Sequence, residues 1–253
     1  MTSSNRPPVV LVHGMWGQPA LWANWQQKLE AAGYSCHPVR LPYHYPGDKR
    51  VASCGLNDYV NAVKEVVRSL PEPPILIGHS LGGLITQRVA AETRLRAGVL
   101  VNTAAPGAIF PLRPGSLPGM ARSFANPLLW RQAFKLKDWE ASYLIFNCLP
   151  KSERPTALAD LVPESGQVAY EVAFGKLNFK GTNRVNKQAI QCPLLAIAGQ
   201  QDRIIPIAVS RRMADWYGEQ LTYWEYPQHA HWLLGEPGWE EVVERLLKWL
   251  AAR

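Results

Sequence analysis

The stretch from Ile75 to Ile85 reads ILIGHSLGGLI, and it places a single hydroxyl where acyl chemistry could use it. Aliphatic, β-favouring residues lead into Gly78-His79-Ser80-Leu81-Gly82, and a helix-like run follows. A strand that turns sharply into a helix holds its central residue in a strained backbone conformation. Small residues two positions away on each side avoid collision with it. Such a turn lifts Ser80 out of the carboxyl edge of a sheet and sets it at a helix N-terminus, where free N–H groups favour developing negative charge. Taken alone, the residue could also be a serine that merely caps a helix.

A serine hydroxyl is a weak nucleophile; it needs a base, and the base needs an orienting carboxylate. On a strand–turn–helix architecture of this kind the order along the chain is Ser, acid, His. The run LLAIAGQQDRIIP supplies Asp202 directly after an aliphatic strand, with Asp138, Asp160 and Asp215 as weaker rivals. The run YPQHAHWLLGEPGW supplies His229 and His231. Either would lie on the loop after the last strand, and His231 is the favoured base, taking the Ser80 proton and returning it to a leaving group. The pair could instead be a His-x-His metal site, but no third ligand in a suitable context accompanies it, so neither a metal nor a cofactor is expected. His13, His37, His44 and His79 read as structural. Acyl transfer also requires donors for an oxyanion. The backbone N–H of Leu81 is one, and Met15 in the turn HGMW is the other. Trp16 and Trp232, beside these loops, are expected to wall a substrate pocket.

The elements that must position these residues can be read along the chain. PPVVLVHG is a short aliphatic run ended by glycine, the mark of a buried parallel strand. Leu21, Trp22, Trp25 and Leu29 then recur at helical spacing, with Gly33 as a stop. Residues 34–42 read as a second strand, and Leu56, Tyr59, Val60, Val63, Val67 and Leu70 fall on one helical face before the Pro71–Pro74 breaker. PILIGH is the third strand, a helix runs from about Gly82 to Thr93, and AGVLVNTA is the fourth strand. Strand character resumes at residues 192–199, followed by a helix near 206–217, a strand at 220–227 and a final helix carrying Trp239, Val242, Val243, Leu246 and Leu250. This alternation predicts an α/β fold: a doubly wound, mainly parallel sheet of about six strands with helices on both faces. Residues 1–105 and 188–253 form its core. Residues 106–187 interrupt it as an inserted, mostly helical cap, since a structureless loop of that length inside a compact domain is implausible. The aromatics of the insertion are Phe110, Phe124, Trp130, Phe134, Trp139, Tyr143, Phe146, Tyr170, Phe174 and Phe179. They are expected mostly to pack among themselves, with a few lining an apolar pocket.

Composition narrows the function further. The chain has 253 residues, 47% of them hydrophobic, ample for a large core. Its net charge is +7, yet no block of five or more Lys/Arg occurs, so a nucleic-acid partner is not expected. Residues 107–187 hold eleven Lys/Arg against six Asp/Glu, so most of the excess lies in the insertion. That segment is either a solvated surface or a docking face for a negatively charged partner or substrate. Four cysteines without CxxC spacing read as thiols in a reducing compartment. No charged n-region precedes a long apolar run and no stretch approaches about eighteen apolar residues, so neither a secretion signal nor a membrane span is expected, and the cytoplasm is the expected location.

LVHGMWG, GHSLGG, AGQQDRIIP and HAHWLLGEPGWEEV together resemble the α/β-hydrolase superfamily in order, spacing and position relative to the strands. The resemblance covers about residues 8–105 and 190–253 and implies a capped, serine-nucleophile esterase or lipase-like member. It implies Ser80 as nucleophile, Asp202 as acid, His231 as base, and Met15 and Leu81 as oxyanion donors. In similar proteins the catalytic histidine commonly precedes an aromatic, as His231 precedes Trp232. Family members often begin with an antiparallel hairpin; only about seven residues precede the first strand here, so a six-stranded, wholly parallel sheet is expected. A serine at position 80 argues against haloalkane dehalogenases and epoxide hydrolases, which use aspartate. Hydrolysis of a carboxylic ester with a small or medium apolar acyl or aromatic group is the first expectation. The alternatives are a thioesterase acting on acyl-CoA or an acidic carrier protein, and another serine-triad reaction such as C–C hydrolysis, lactone hydrolysis or haloperoxidation. A ligand receptor on the same fold is the non-enzymatic alternative.

Overall fold

The computed structural model describes residues 6–109, 121, 123, 125–174 and 180–253. Six strands form one sheet: β1 (Val9–Val12), β2 (Cys36–Val39), β3 (Ile75–His79), β4 (Ala97–Val101), β7 (Leu194–Gly199) and β8 (Leu221–Tyr226). They lie in the order β2-β1-β3-β4-β7-β8, every neighbouring pair parallel. The expected six-stranded parallel sheet is therefore present. Parallel pairing sets all six carboxyl ends along one rim, where ligands bind in open α/β sheets.

The helices of this core are α1 (Ala23–Ala31), α2 (Leu56–Ser69), α3 (Leu81–Glu92), α7 (Ile207–Tyr217) and α8 (Trp239–Ala251). Leu21 and Trp22 of the first helical run fall in a 3-10 turn, Pro19–Trp22, just ahead of α1. Alternate strand residues feed two apolar layers. Val10, Val12, Leu76, Leu100 and Ala196 pack with α2, α3 and α7 on one face. Val9, Leu11, Ile75, Ile77, Val99 and Ile197 pack with α1 and α8 on the other. Near-continuous aliphatic strands are what burial on both faces demands. Among the described residues no helix is long and apolar enough to cross a membrane.

Between β4 and β7 the chain forms α4 (Asp138–Leu144), α5 (Arg154–Ala159), α6 (Gly166–Ala173) and a two-residue antiparallel ladder, β5 (Ala133–Phe134) with β6 (Glu164–Ser165). These helices are too short to bury a face against one another. Phe146, Leu144 and Leu161 join the α1/α8 layer instead, and Val168 joins the α2/α3/α7 layer. Of the described aromatics, Phe134, Tyr143 and Phe146 join the α1/α8 layer, while Tyr170 and Phe174 stack on each other with centroids 5.0 Å apart. Phe146 is fully buried against Trp232, whereas Trp130 and Trp139 are exposed. Phe110, Phe124 and Phe179 lie outside the described residues.

Buried charge also ties the insertion to the sheet. Glu164 accepts hydrogen bonds from Tyr59 Oη at 2.7 Å and the Ser165 N–H at 2.6 Å, and its second oxygen lies 3.2 Å from His44 Nε2. Glu171 accepts from the Leu56 N–H at the start of α2, at 2.7 Å. Burial alone would lower the His44 pKa, but the Glu164 carboxylate and its hydrogen bond outweigh burial and hold it above the ordinary value. A histidine whose pKa is raised by folding stabilises the folded chain fully below its unfolded pKa of about 6.5, and this contribution fades as pH rises through the higher folded value. Glu164→Gln should therefore cost about 3 kcal/mol near pH 6, and less toward pH 9, as measured by urea denaturation of both proteins across that range. A penalty that grows with pH would contradict the ion pair.

Candidate active site

Ser80 sits between β3 and α3 with φ 55° and ψ −118°. Its backbone is tied on both sides: its N–H donates to Val101 O at 2.9 Å, and its carbonyl accepts from Gly83 N at 3.0 Å and Ala104 N at 2.9 Å. The strained turn exists because its neighbours lack side chains. A Cβ on Gly78 would lie 2.1 Å from Gly82 O, and one on Gly82 would lie 2.2 Å from Val12 O. The Ser80 side chain makes no capping hydrogen bond to α3, so the simple helix-cap reading of this residue does not hold.

Asp202 and His231 meet. His231 Nδ1 and Asp202 Oδ2 are 2.7 Å apart, both residues buried. The other Asp202 oxygen accepts from the N–H groups of Ile204 and Ile205, each at 2.8 Å, which fixes the carboxylate plane. A carboxylate on Nδ1 selects the tautomer with its proton there and leaves Nε2 with a lone pair. His231 lines a cavity together with Ser80, Gly14, Met15, Trp16 and Trp232. The rivals stand elsewhere. Asp138, Asp160 and Asp215 are exposed. His229 Nδ1 lies 3.4 Å from Glu236, and its ring packs against Tyr226.

Two side chains that the sequence reading did not link to the site hold the His231 turn. His79 Nε2 lies 2.8 Å from the His231 carbonyl, and the two rings are tilted with centroids 4.8 Å apart. Burial, then the neighbouring His231, push the His79 pKa down to about 3, so this imidazole is neutral and donates through Nε2–H. Glu236 is buried and accepts from the N–H groups of Ala230, at 2.7 Å, and Trp232, at 3.1 Å. It stood within the GEPGW run, but nothing in that run announces which backbone it would bind. His13 shapes the opposite turn. It accepts from the Leu41 N–H at 3.2 Å through Nε2, so Nδ1–H donates to Gly14 O at 2.9 Å. Burial, then His44, hold it well below its ordinary pKa.

A second cavity meets the first at Ser80, Met15 and Trp16. Its remaining lining is Leu81, Ala104, Ala169, Val172, Ala173, Ile204 and Ile205, so Ser80 is the one polar side chain among its described walls. Met15 and Leu81 both border it. The Leu81 N–H, first in α3, has no acceptor within its own helix. Trp16 borders both cavities and Trp232 only the first. Three non-glycine residues with positive φ stand at this rim, after β1, β3 and β4: Trp16 at 58°, Ser80 at 55° and Asn102 at 42°. Strain of this kind clusters at functional sites.

The sequence profile described as the alpha/beta hydrolase family matches residues 9–245. The chain belongs to that family. Among its alpha/beta hydrolase relatives, a pimeloyl-[acyl-carrier protein] methyl ester esterase of Vibrio atlanticus is 27% identical over 252 residues, covering 90% of this chain and 89% of the relative. A pyrethroid hydrolase of Sphingobium wenxiniae is 27% identical over 220 residues, covering 81% and 74%. A monoacylglycerol lipase of Mycolicibacterium smegmatis is 24% identical over 260 residues, covering 98% and 89%. In fold, the chain is similar to a crystal structure of a pyrethroid hydrolase from Sphingobium faniae, with a TM-score of 0.74, 21% identity and 98% of each chain covered.

The packing around the serine turn is testable. Gly82→Ala, aimed at a carbonyl of β1, should destabilise by about 3 kcal/mol or more, while Gly47→Ala, where an added Cβ meets nothing but φ is +72°, should cost only about 1 kcal/mol. Equal costs in thermal melts would show that α3 can move away from β1.

Proposed function

We propose that this alpha/beta hydrolase cleaves carboxylic esters of small or medium apolar acids through an acyl-enzyme, with Ser80 as nucleophile, His231 as base, Asp202 as its orienting acid, and the N–H groups of Met15 and Leu81 as oxyanion donors. It is a hydrolase acting on ester bonds, the class to which its esterase and lipase relatives are named. The observation that supports the reading most is the 2.7 Å contact of His231 with Asp202, on an imidazole that shares a cavity with Ser80.

The mechanism follows from which wall carries which group. Ser80 attacks the acyl carbon as His231 Nε2 accepts its proton, and Asp202 stabilises the imidazolium. The oxyanion forms toward Met15 and Leu81, beside a mostly apolar cavity, where fixed dipoles act strongly. His231 then protonates the departing alcohol, which must lie on the imidazole side, beside Leu21, Ile145, Leu161 and Trp232. The acyl chain is left to the apolar cavity walled by Leu81, Ala104, Ala169, Val172, Ala173, Ile204 and Ile205. Water activated by the same imidazole releases the acid. Residues 106–187 act as the cap in this reading, because α6 supplies Ala169, Val172 and Ala173 to that wall.

A carrier-linked or CoA-linked acyl group is the second reading, and one observation favours it. Of the six acidic residues in 107–187, Glu140, Glu164 and Glu171 are buried, whereas none of the eight described Lys/Arg there is. The solvent-facing charge of the cap is thus more basic than its sequence, and it suits an acidic carrier or the phosphates of CoA. The free thiols of Cys36, Cys54, Cys148 and Cys192 fit a cytoplasmic location, which belongs to the same proposal.

A panel of p-nitrophenyl, methyl and acyl-CoA esters of graded acyl length tests the reading. Ser80→Ala should lower kcat by about 10⁴-fold or more, and Asp202→Asn by about 10³ to 10⁴-fold. Wild type and Ser80→Ala equally slow on every ester, with no labelling by a serine-directed phosphonate, would instead point to a receptor. On the carrier reading, raising NaCl from about 0.05 to 0.5 M should weaken KM for the acidic substrate several-fold and leave the neutral esters unchanged.

A further inference from the structure

Asn102 is the first residue after β4, fully buried, and it takes a conformation that few L-residues tolerate, with φ 42°. Asparagine is among the few that do. Its backbone N–H still continues the sheet, donating to Ile197 O at 2.8 Å. Its side chain leaves the sheet and spends every polar group on two other turns. Nδ2 donates to Ala230 O at 2.7 Å and to His231 O at 3.0 Å. Oδ1 accepts from the Gly199 N–H at 2.8 Å. Gly199 ends β7, and its carbonyl in turn accepts from the Asp202 N–H at 3.3 Å. One planar amide therefore holds the turn that carries His231 and the turn that carries Asp202 at a fixed separation.

The acid side also meets the base of this turn through Gln201, whose N–H donates to His229 O at 2.9 Å, but the other side-chain clamps nearest His231 do not reach it. His79 meets the His231 carbonyl and Glu236 takes the N–H groups of Ala230 and Trp232. The segment that follows β4 also bonds to the nucleophile, through Val101 O and Ala104 N to the Ser80 backbone. A neutral amide suits this place. It supplies two donors and one acceptor in one plane, and adds no charge beside an imidazole that already faces Asp202 and His79.

We propose that Asn102 is a positioning residue for the acid–base pair, setting His231 against Asp202 and toward Ser80. This rests on the reading of His231 as the base. Asn102→Gly tests it, because glycine accepts φ 42° without strain and removes the three side-chain hydrogen bonds. On a p-nitrophenyl ester, kcat should fall by about 10 to 100-fold with KM within about threefold of wild type, the scale of a small misplacement of catalytic groups. A purely structural role would reduce the amount of active enzyme and leave kcat per active site, counted with a serine-directed phosphonate, unchanged.

The effect should also depend on His231. Adding Asn102→Gly to His231→Ala should cost less than about twofold, because positions acting through one group are not additive. Should the glycine variant not fold, Asn102→Asp keeps the residue's shape and the acceptor for Gly199, and the same loss in kcat and the same non-additivity are expected of it. Equal fold-losses in both backgrounds, or a kcat per active site within about threefold of wild type, would overturn the inference. If His231→Ala is inactive while the Asn102 variants are undisturbed, the inference alone fails. If His231→Ala keeps wild-type activity, the assignment of the base fails and takes the inference with it.

Discussion

The approach of α3 to the end of β1, backbone against backbone, is the constraint on which the rest of the site depends. No side chain fits between Gly82 and the Val12 carbonyl. Gly14 is also pressed, though less closely, since a Cβ there would lie 2.8 Å from that of Ser80. This proximity brings Leu81 and Met15 to the same small cavity. A helix set farther out would carry Ser80 and Leu81 together away from Met15. The strain at Ser80 is held because the flanking chain cannot relax: α3 is anchored through Leu81, Leu84, Ile85 and Val89 in one apolar layer, and β3 is buried on both faces.

Three buried histidines show how environment divides labour among identical side chains. His13 and His79 are driven neutral, chiefly by burial, and each then works as a hydrogen-bonding strut of fixed tautomer. His44 is buried as deeply but meets Glu164, and the carboxylate reverses the effect of burial. The difference lies in the partner rather than the depth. It leaves His231, with Asp202 on Nδ1, as a histidine lining a cavity that Ser80 also lines.

The sheet was legible because its strands announce themselves. VVLV, ILIGH, AGVLV and LLAIAG are aliphatic runs closed by glycine or polar turns, and all four are fully buried. Ser80 and Asp202 could be read because each follows such a run, and His231 because it follows the aromatic strand LTYWEY, half-buried at the sheet edge. The insertion was less legible for a physical reason. Helices of seven, six and eight residues span about two turns, too few for an apolar face to repeat. Its aromatics gave no sign that they would join layers already formed by the sheet. Asn102, Glu236 and the pairing of His44 with Glu164 were hidden for another reason. Asn102 and the His44–Glu164 pair depend on residues far apart in the chain, Glu236 binds backbone four and six residues before it, and a polar residue at a strand end or in a loop carries no local mark of the backbone it will bind.

The same wiring bears on how the substrate range of such a protein can change. In α6, Ala169, Val172 and Ala173 line the apolar cavity beside Ser80, while Glu171 on the same helix clamps the start of α2 and Val168 enters the apolar layer beneath. Cavity wall and anchor therefore alternate along one eight-residue helix. A larger side chain at a wall position narrows the cavity without freeing the helix, because the opposite face is fixed by buried bonds. Loss of the anchor at Glu171 would move all three wall residues together. On the proposed reading, acyl selectivity is tuned in small steps on one face of α6, whereas displacement of its other face disturbs the cavity and the apolar layer beneath at once, and the residues proposed for the chemistry are held separately, at the ends of β1, β3, β7 and β8.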